Sequence, residues 1–171
     1  MNITDISTYL SDKQTDDVDL ITLHWTVGRY DQTFDGDYHF QITGDGQLVV
    51  DSRAYYNGYF VPLAHAWHHN SRNVGISVCG MLGAVDGGQG SLDLTSWPSS
   101  YGEFPPTPAQ ISTLAQLVSV LVRHYGLTFD DVKSHYDLAQ EDGYPGERWE
   151  YKYEKPLILA AAQKVYEETK P

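Results

Sequence analysis

The chain has 171 residues, 41% of them hydrophobic and 13% aromatic, with thirteen tyrosines and four tryptophans. This composition describes one folded domain with a sizeable core and excludes a disordered chain. Twenty-three acidic residues against eleven basic ones give a formal net charge of −12, and no Lys/Arg cluster breaks that field, so nucleic acid and anionic membrane are excluded as partners. No apolar stretch approaches the roughly 18 residues of a membrane span. The start, Met1-Asn2-Ile3-Thr4-Asp5, has neither a basic head nor a hydrophobic signal core, which predicts no signal peptide and a chain that begins in the cytoplasm.

Asp19 to Thr26 is short, apolar and rich in β-formers, and is predicted to be a central strand. Tyr38 to Thr43 alternates, and Gly44-Asp45-Gly46 turns it into Gln47 to Asp51, a predicted β-hairpin whose Asp-Gly supplies a positive φ. Asn73 to Cys79 reads as a buried strand, in which the lone Cys79 serves as a small core hydrophobe. Residues 81–106 are dense in Gly, Ser and Pro, with Leu92, Leu94, Trp97, Tyr101 and Phe104 scattered among them. So long a loop is either a wall of a binding cleft or an insertion packed on the surface.

The clearest helix runs from Pro108 to Tyr125, with Thr107 as cap, Gln110 completing a capping box and Gly126 as terminator. Ile111, Leu114, Leu117, Val118, Leu121, Val122 and Tyr125 form its apolar stripe, expected to pack on the sheet. A second helix is predicted from Pro156 to Lys170, burying Leu157, Ile158, Ala161 and Val165. The predicted fold class is therefore α/β: a single domain, residues 1–171 with its core at about 18–165, built as a mixed central sheet flanked by helices.

Seven histidines are present. His124 lies in the last turn of the long helix, where a cation suits the helix dipole. His68 and His69 are adjacent and point apart in an extended segment, which makes them a poor chelating pair. His39 follows Tyr38 and faces the opposite side of its strand, where packing accounts for it. His24 and His135 stand out, because each ends a β-like segment, the second running from Phe129 to Ser134. Ends of neighbouring strands meet in space, and two such imidazoles suit a metal site or an acid/base site. A third ligand would come from Asp137, Glu141, Asp142, Glu147 or Glu150, among which spacing alone does not choose.

A set of ordered motifs carries a resemblance: Leu23-His24-Trp25-Thr26, Asp37-Tyr38-His39-Phe40-Gln41-Ile42 with Gly44-Asp45-Gly46, Ala64-His65-Ala66, Asn73-Val74-Gly75-Ile76, and Ser134-His135-Tyr136-Asp137-Leu138-Ala139. Together they resemble the zinc-dependent N-acetylmuramoyl-L-alanine amidases, a family that includes phage amidase-type lysozymes and the peptidoglycan recognition proteins. The resemblance spans roughly residues 18–165. It implies Zn²⁺ as cofactor, peptidoglycan as substrate, and His24 and His135 as zinc ligands. It also implies that Tyr38 assists catalysis and that His65 contacts substrate or stands behind a ligand.

The family's third ligand is usually a Cys or Asp shortly after the late histidine, with a basic residue two positions earlier and Pro-Gly commonly following. Here Pro145-Gly146 follows Tyr144, a poor zinc ligand. Arg148-Trp149-Glu150 reproduces the pattern of base, spacer and acid, so Glu150 is expected as third ligand and Arg148 as the oxyanion-stabilising cation, with Asp142 and then Glu141 as the alternatives. Trp25, Trp67 and the loop aromatics are candidates for stacking on sugars or for burial.

The resemblance thus implies hydrolysis of the bond between N-acetylmuramic acid and L-alanine by a monomer. A short chain without a signal fits a phage or prophage endolysin held in the host cytoplasm until lysis. Two other readings compete: a non-catalytic peptidoglycan-binding module of the same fold, and a metal-free hydrolase using Cys79 as nucleophile.

Overall fold

The computed structural model describes residues 1–84, 91, 93–98, 102–144 and 150–170. After a short helix α1 (Ile6–Leu10), the described strands are β1 (Leu20–Trp25), β2 (Phe40–Ile42), β3 (Leu48–Val50), β4 (Tyr55–Tyr56), β5 (Tyr59–Phe60) and β6 (Asn73–Val78). Helix α2 (Pro108–Tyr125), strand β7 (Val132–Ser134), α3 (His135–Glu141) and α4 (Lys155–Glu168) complete the chain. Five strands form one sheet in the order β3-β2-β6-β1-β7, and β4 and β5 pair separately. β1 runs parallel to both β6 and β7, β2 runs parallel to β6, and β3 runs antiparallel to β2. The sheet is therefore mixed, as the sequence predicts.

Register makes the two faces of this sheet chemically different. Successive residues of a strand point to opposite faces, and paired residues on neighbouring strands share a face. One face carries Ile21, Leu23 and Trp25 of β1, Val74, Ile76 and Val78 of β6, and Phe40 and Ile42 of β2, all buried. These side chains join Leu114, Leu117, Val118, Leu121 and Val122 of α2 in a single core. The opposite face carries Thr22 and His24, then Asn73, Gly75 and Ser77, then Gln41, and it too is closed off from water.

The long helix has the bounds the sequence predicts. The hydroxyl of Thr107 accepts the Gln110 N–H, and the Gln110 side chain accepts the Thr107 N–H. Gly126 ends the helix at φ +66, a conformation that costs glycine little. Gln110 does more than cap: fully buried, its amide nitrogen donates to the carbonyls of Ile42 and Cys79 and so fastens the helix start to two strands. The stripe is buried as expected except at Ile111, which is half-buried.

Three expectations change. α4 ends at Glu168, and its fully buried positions are Ile158 and Ala162, with Leu157, Ala161 and Val165 only half-buried. The shift follows from its partner: α4 packs on α2 rather than on the sheet, so a narrower strip is covered. Phe129–Asp131 is a 3₁₀ turn, and only Val132–Ser134 pairs in the sheet. His124 lies in the last turn with Arg123, but burial pushes its pKa below the ordinary value and works against the cationic form there, while Arg123 reaches the Tyr166 carbonyl on α4.

In the 81–106 segment, the Met81 N–H donates to the Phe104 carbonyl and the Glu103 N–H to the Leu82 carbonyl, while Leu94 and Trp97 pack half-buried on the core. Its Leu92 and Tyr101 lie outside the described residues.

Replacing Gln110 by Ala should cost more than losing the cap. Two buried carbonyls lose a donor at about 1–3 kcal/mol per unsatisfied group, whereas Thr107→Ala should cost about 1 kcal/mol. Urea denaturation of both variants checks the order, and equal losses would contradict the fastening role.

Candidate metal centre

The polar face of the sheet gathers its functional groups at the carboxyl ends of β1 and β7, where open α/β sheets place their ligands. His24 is the fifth of six residues in β1 and is 1% exposed. His135 does not end a strand, as the sequence suggested, but begins α3 directly after β7. The cause is local: the Ser134 hydroxyl accepts the Asp137 N–H while the Asp137 carboxylate accepts the Ser134 N–H, a capping box that turns the chain into helix at that residue. The two rings lie 4.6 Å apart between centroids, tilted by 70°.

Glu150 arrives from the other end of the chain. Its neighbour Tyr151 is fully buried against Trp25 of β1, ring centroids 5.3 Å apart, which holds the carboxylate over the two histidines. Oε2 lies 3.0 Å from Nδ1 of His24, and Oε1 lies 3.3 Å from Nδ1 of His135. Burial opposes ionisation of this carboxyl, but the contacts with His135 and His24 outweigh it and hold its pKa down at about 2. The alternatives are engaged elsewhere, Asp142 with Nε2 of His69 at 3.0 Å and Glu141 with Lys133 at 3.0 Å.

His65 stands behind His24. Its Nδ1 is 3.1 Å from Nε2 of His24, and its Nε2 is 2.9 Å from the Asn73 carbonyl oxygen. Burial, followed by the neighbouring His24 and His39, pushes its pKa well below the ordinary value. A carbonyl only accepts, so Nε2 of His65 carries the proton and its Nδ1 is an acceptor. His24 then donates from Nε2, and its Nδ1 faces the Glu150 carboxylate either as the N–H of an imidazolium, which favours the ionised carboxyl, or as a lone pair turned toward a metal ion. Two acceptors 3.0 Å apart need a cation between them, either a proton or a metal ion.

The donor set fits such an ion. His24, His135 and Glu150 each offer one ligand atom, and these atoms all lie within 4.8 Å of one another. Tetrahedral zinc with bonds of about 2.0–2.2 Å spaces its ligand atoms roughly 3.3–3.6 Å apart, close to the two N···O separations observed.

Tyr38 is half-buried beside the group, its ring centroid 5.2 Å from that of His24. Arg148, with Trp149, lies outside the described residues. A cleft of about 310 Å³ opens next to the group, lined by His65 and His135 together with Ala66, Trp67, Leu138 and Tyr144 among others. Trp67 is 79% exposed, whereas Trp25 belongs to the core. No described residue of the 81–106 segment lines this cleft. Cys79 is buried, and burial first, with the Asp31 charge second, pushes its thiol up to about 12, far from a ready nucleophile.

Sequence reasoning missed two things. One is the capping box at Ser134, legible as Ser-x-x-Asp. The other is the alternation of Thr22 and His24 with Ile21, Leu23 and Trp25, which announces a strand with one polar face.

The family profile described as N-acetylmuramoyl-L-alanine amidase matches residues 14–147, and the chain belongs to that family. Among solved structures, it is similar to the N-acetylmuramoyl-L-alanine amidase LysC from Clostridium intestinale URNW, at 21% identity over 84% of this chain and 87% of that one, with a TM-score of 0.51. It is also similar to the Ph2119 endolysin from Thermus scotoductus MAT2119 bacteriophage Ph2119, at 18% identity over 88% of each chain, with a TM-score of 0.53. No curated protein matches the sequence. These structural likenesses establish the amidase-like fold.

His39 sets a pH dependence. Its Nδ1 accepts the Gly75 N–H and its Nε2 donates to the Val61 carbonyl, and burial lowers its pKa from 6.5 to about 4. Between these values the unfolded chain takes up a proton that the folded one refuses. The contribution is complete above pH 6.5 and is lost as pH falls to about 4, on the order of 3 kcal/mol in all. Urea denaturation in chelator across that window should show a shallower slope for His39→Asn than for wild type; identical slopes would refute it.

Proposed function

We propose that this protein is a zinc-dependent hydrolase that cleaves the amide bond between N-acetylmuramic acid and L-alanine in peptidoglycan. The observation that carries the reading is the convergence of His24, His135 and the Glu150 carboxylate at the edge of an open cleft. Membership of the amidase family supplies the reaction class, and the resemblance to phage lysozymes supports an endolysin acting on the cell wall.

His24 and His135 would hold the ion through their ring nitrogens, and Glu150 would supply the third ligand and an offsetting negative charge. A zinc ion held there would supply the Lewis acidity that activates water and polarises the scissile carbonyl. Tyr38, beside His24, holds or hands on a proton at its phenol oxygen and orients the attacking water. Arg148 is assigned to the developing oxyanion through the sequence resemblance alone. Trp67 and Tyr144, exposed at the cleft, offer aromatic faces for sugar or peptide. Among the described residues no helix is long and apolar enough to cross a membrane.

Purified protein should bind one equivalent of zinc and release stem peptide from isolated cell walls, and chelator should abolish the release. Tight wall binding with neither metal nor cleavage would favour the binding module instead. Tyr38→Phe should keep its zinc and lose about 10²- to 10⁴-fold in rate, while Glu150→Ala should lose zinc. Cys79→Ala should remain active; its inactivation in a folded protein would revive the cysteine hydrolase.

A further inference from the structure

His24 can offer Nδ1 to an ion only while its own proton is held on Nε2. We propose that His65 is the positioning residue that holds it, through a relay running from His24 to His65 to the backbone carbonyl of Asn73. The inference rests on the metal-centre reading above.

With a cation on Nδ1 of His24, a single placement of protons satisfies both contacts. His65 donates from Nε2 to the Asn73 carbonyl at 2.9 Å, and His24 donates from Nε2 to Nδ1 of His65 at 3.1 Å. A metal-ligating histidine ordinarily gives its second N–H to a carboxylate, a carbonyl or water. Here a second imidazole takes that place. It fixes ring and tautomer without bringing another negative charge behind the ligand, so the ion keeps more of its electrophilicity.

The surroundings of His65 are built to hold this ring. The N–H groups of His65 and Ala66 both donate to Oδ1 of Asn70, at 3.1 and 2.7 Å. The Asn73 side chain donates to the His69 carbonyl at 2.7 Å and accepts the Thr22 hydroxyl of β1 at 3.0 Å, which bolts segment 65–73 to the strand that carries His24. Gly75 completes the seat, since a Cβ there would stand 2.5 Å from Cγ of the His65 ring. The ring therefore lies flat where any other residue would place a side chain. His65 is 6% exposed and both of its nitrogens meet protein partners, so its polar atoms act through His24.

The test compares wild type, His65→Leu and His65→Asn by zinc competition against a chelator, with ¹⁵N NMR of the histidine rings. Asparagine puts an amide oxygen where Nδ1 lies and keeps the acceptor, whereas leucine removes it. His65→Leu should hold zinc roughly 10- to 100-fold more weakly, and His65→Asn should recover most of that loss. Wild-type rings should show His65 protonated on Nε2 and a scalar coupling across the His24 to His65 N–H···N bond.

Equal zinc affinity in all three proteins, or a His65 proton on Nδ1, overturns the relay. If the leucine variant does not fold, an asparagine variant as weak as the leucine range predicts overturns it as well. A wild type that shows the coupling but takes up no zinc supports the relay and sinks the zinc reading alone.

Discussion

A carboxylate held out of water against two imidazole nitrogens is the interaction on which the arrangement depends. Burying an ionised carboxyl is costly unless it is paired and hydrogen-bonded, and Glu150 is 9% exposed with each of its oxygens facing one ring nitrogen. The pairing joins three distant parts of the chain: the end of β1, the first residue of α3, and the segment after residue 149. Removing Glu150 leaves both imidazole nitrogens without their carboxylate, and removing either histidine leaves one carboxylate oxygen without its ring. The same tension makes the group receptive to a cation.

That tension is tolerable because stability is generated on the other side of the sheet. The face of Ile21, Leu23, Trp25, Val74, Ile76 and Val78 packs with α2, where each fully buried aliphatic side chain contributes about 1.5–3 kcal/mol. The polar face is buried too, which is unusual for parallel strands, whose two covered faces ordinarily read as continuous apolar runs. Most of its groups are matched locally, Thr22 with Asn73, Gln41 with the backbone of Phe34, and His39 with Gly75 and Val61, while the Ser77 hydroxyl has no partner among the described residues. A polar layer organised this way holds side chains in fixed rotamers, as a ligand set requires.

Much of this was legible from residues. Helix α2 declared itself through Thr107, Gln110, Gly126 and its stripe, because caps and periodicity act over a few residues. The hairpin around Gly46, at φ +83, did so for the same reason. Glu150 was reachable only through the resemblance, since from the residues alone five carboxylates stood at plausible spacing after His135. The packing of α4 on α2 was not legible, because a weakly amphipathic helix does not specify which neighbour will cover it. The part played by His65 was hidden as well, because a histidine between two alanines is equally consistent with a cleft wall and with a buried relay.

The sequence by itself determined which elements form, which histidines sit at their ends, and that one strand face would be polar, since these follow from local sterics and periodicity. Only the tertiary structure decided which carboxylate faces them, and that His65 lies over Gly75 with both ring nitrogens occupied. Those outcomes depend on contacts 126 residues apart in one case and, in the other, on the absence of a Cβ at Gly75 that would stand 2.5 Å from the His65 ring. Neither is encoded in any short stretch of chain.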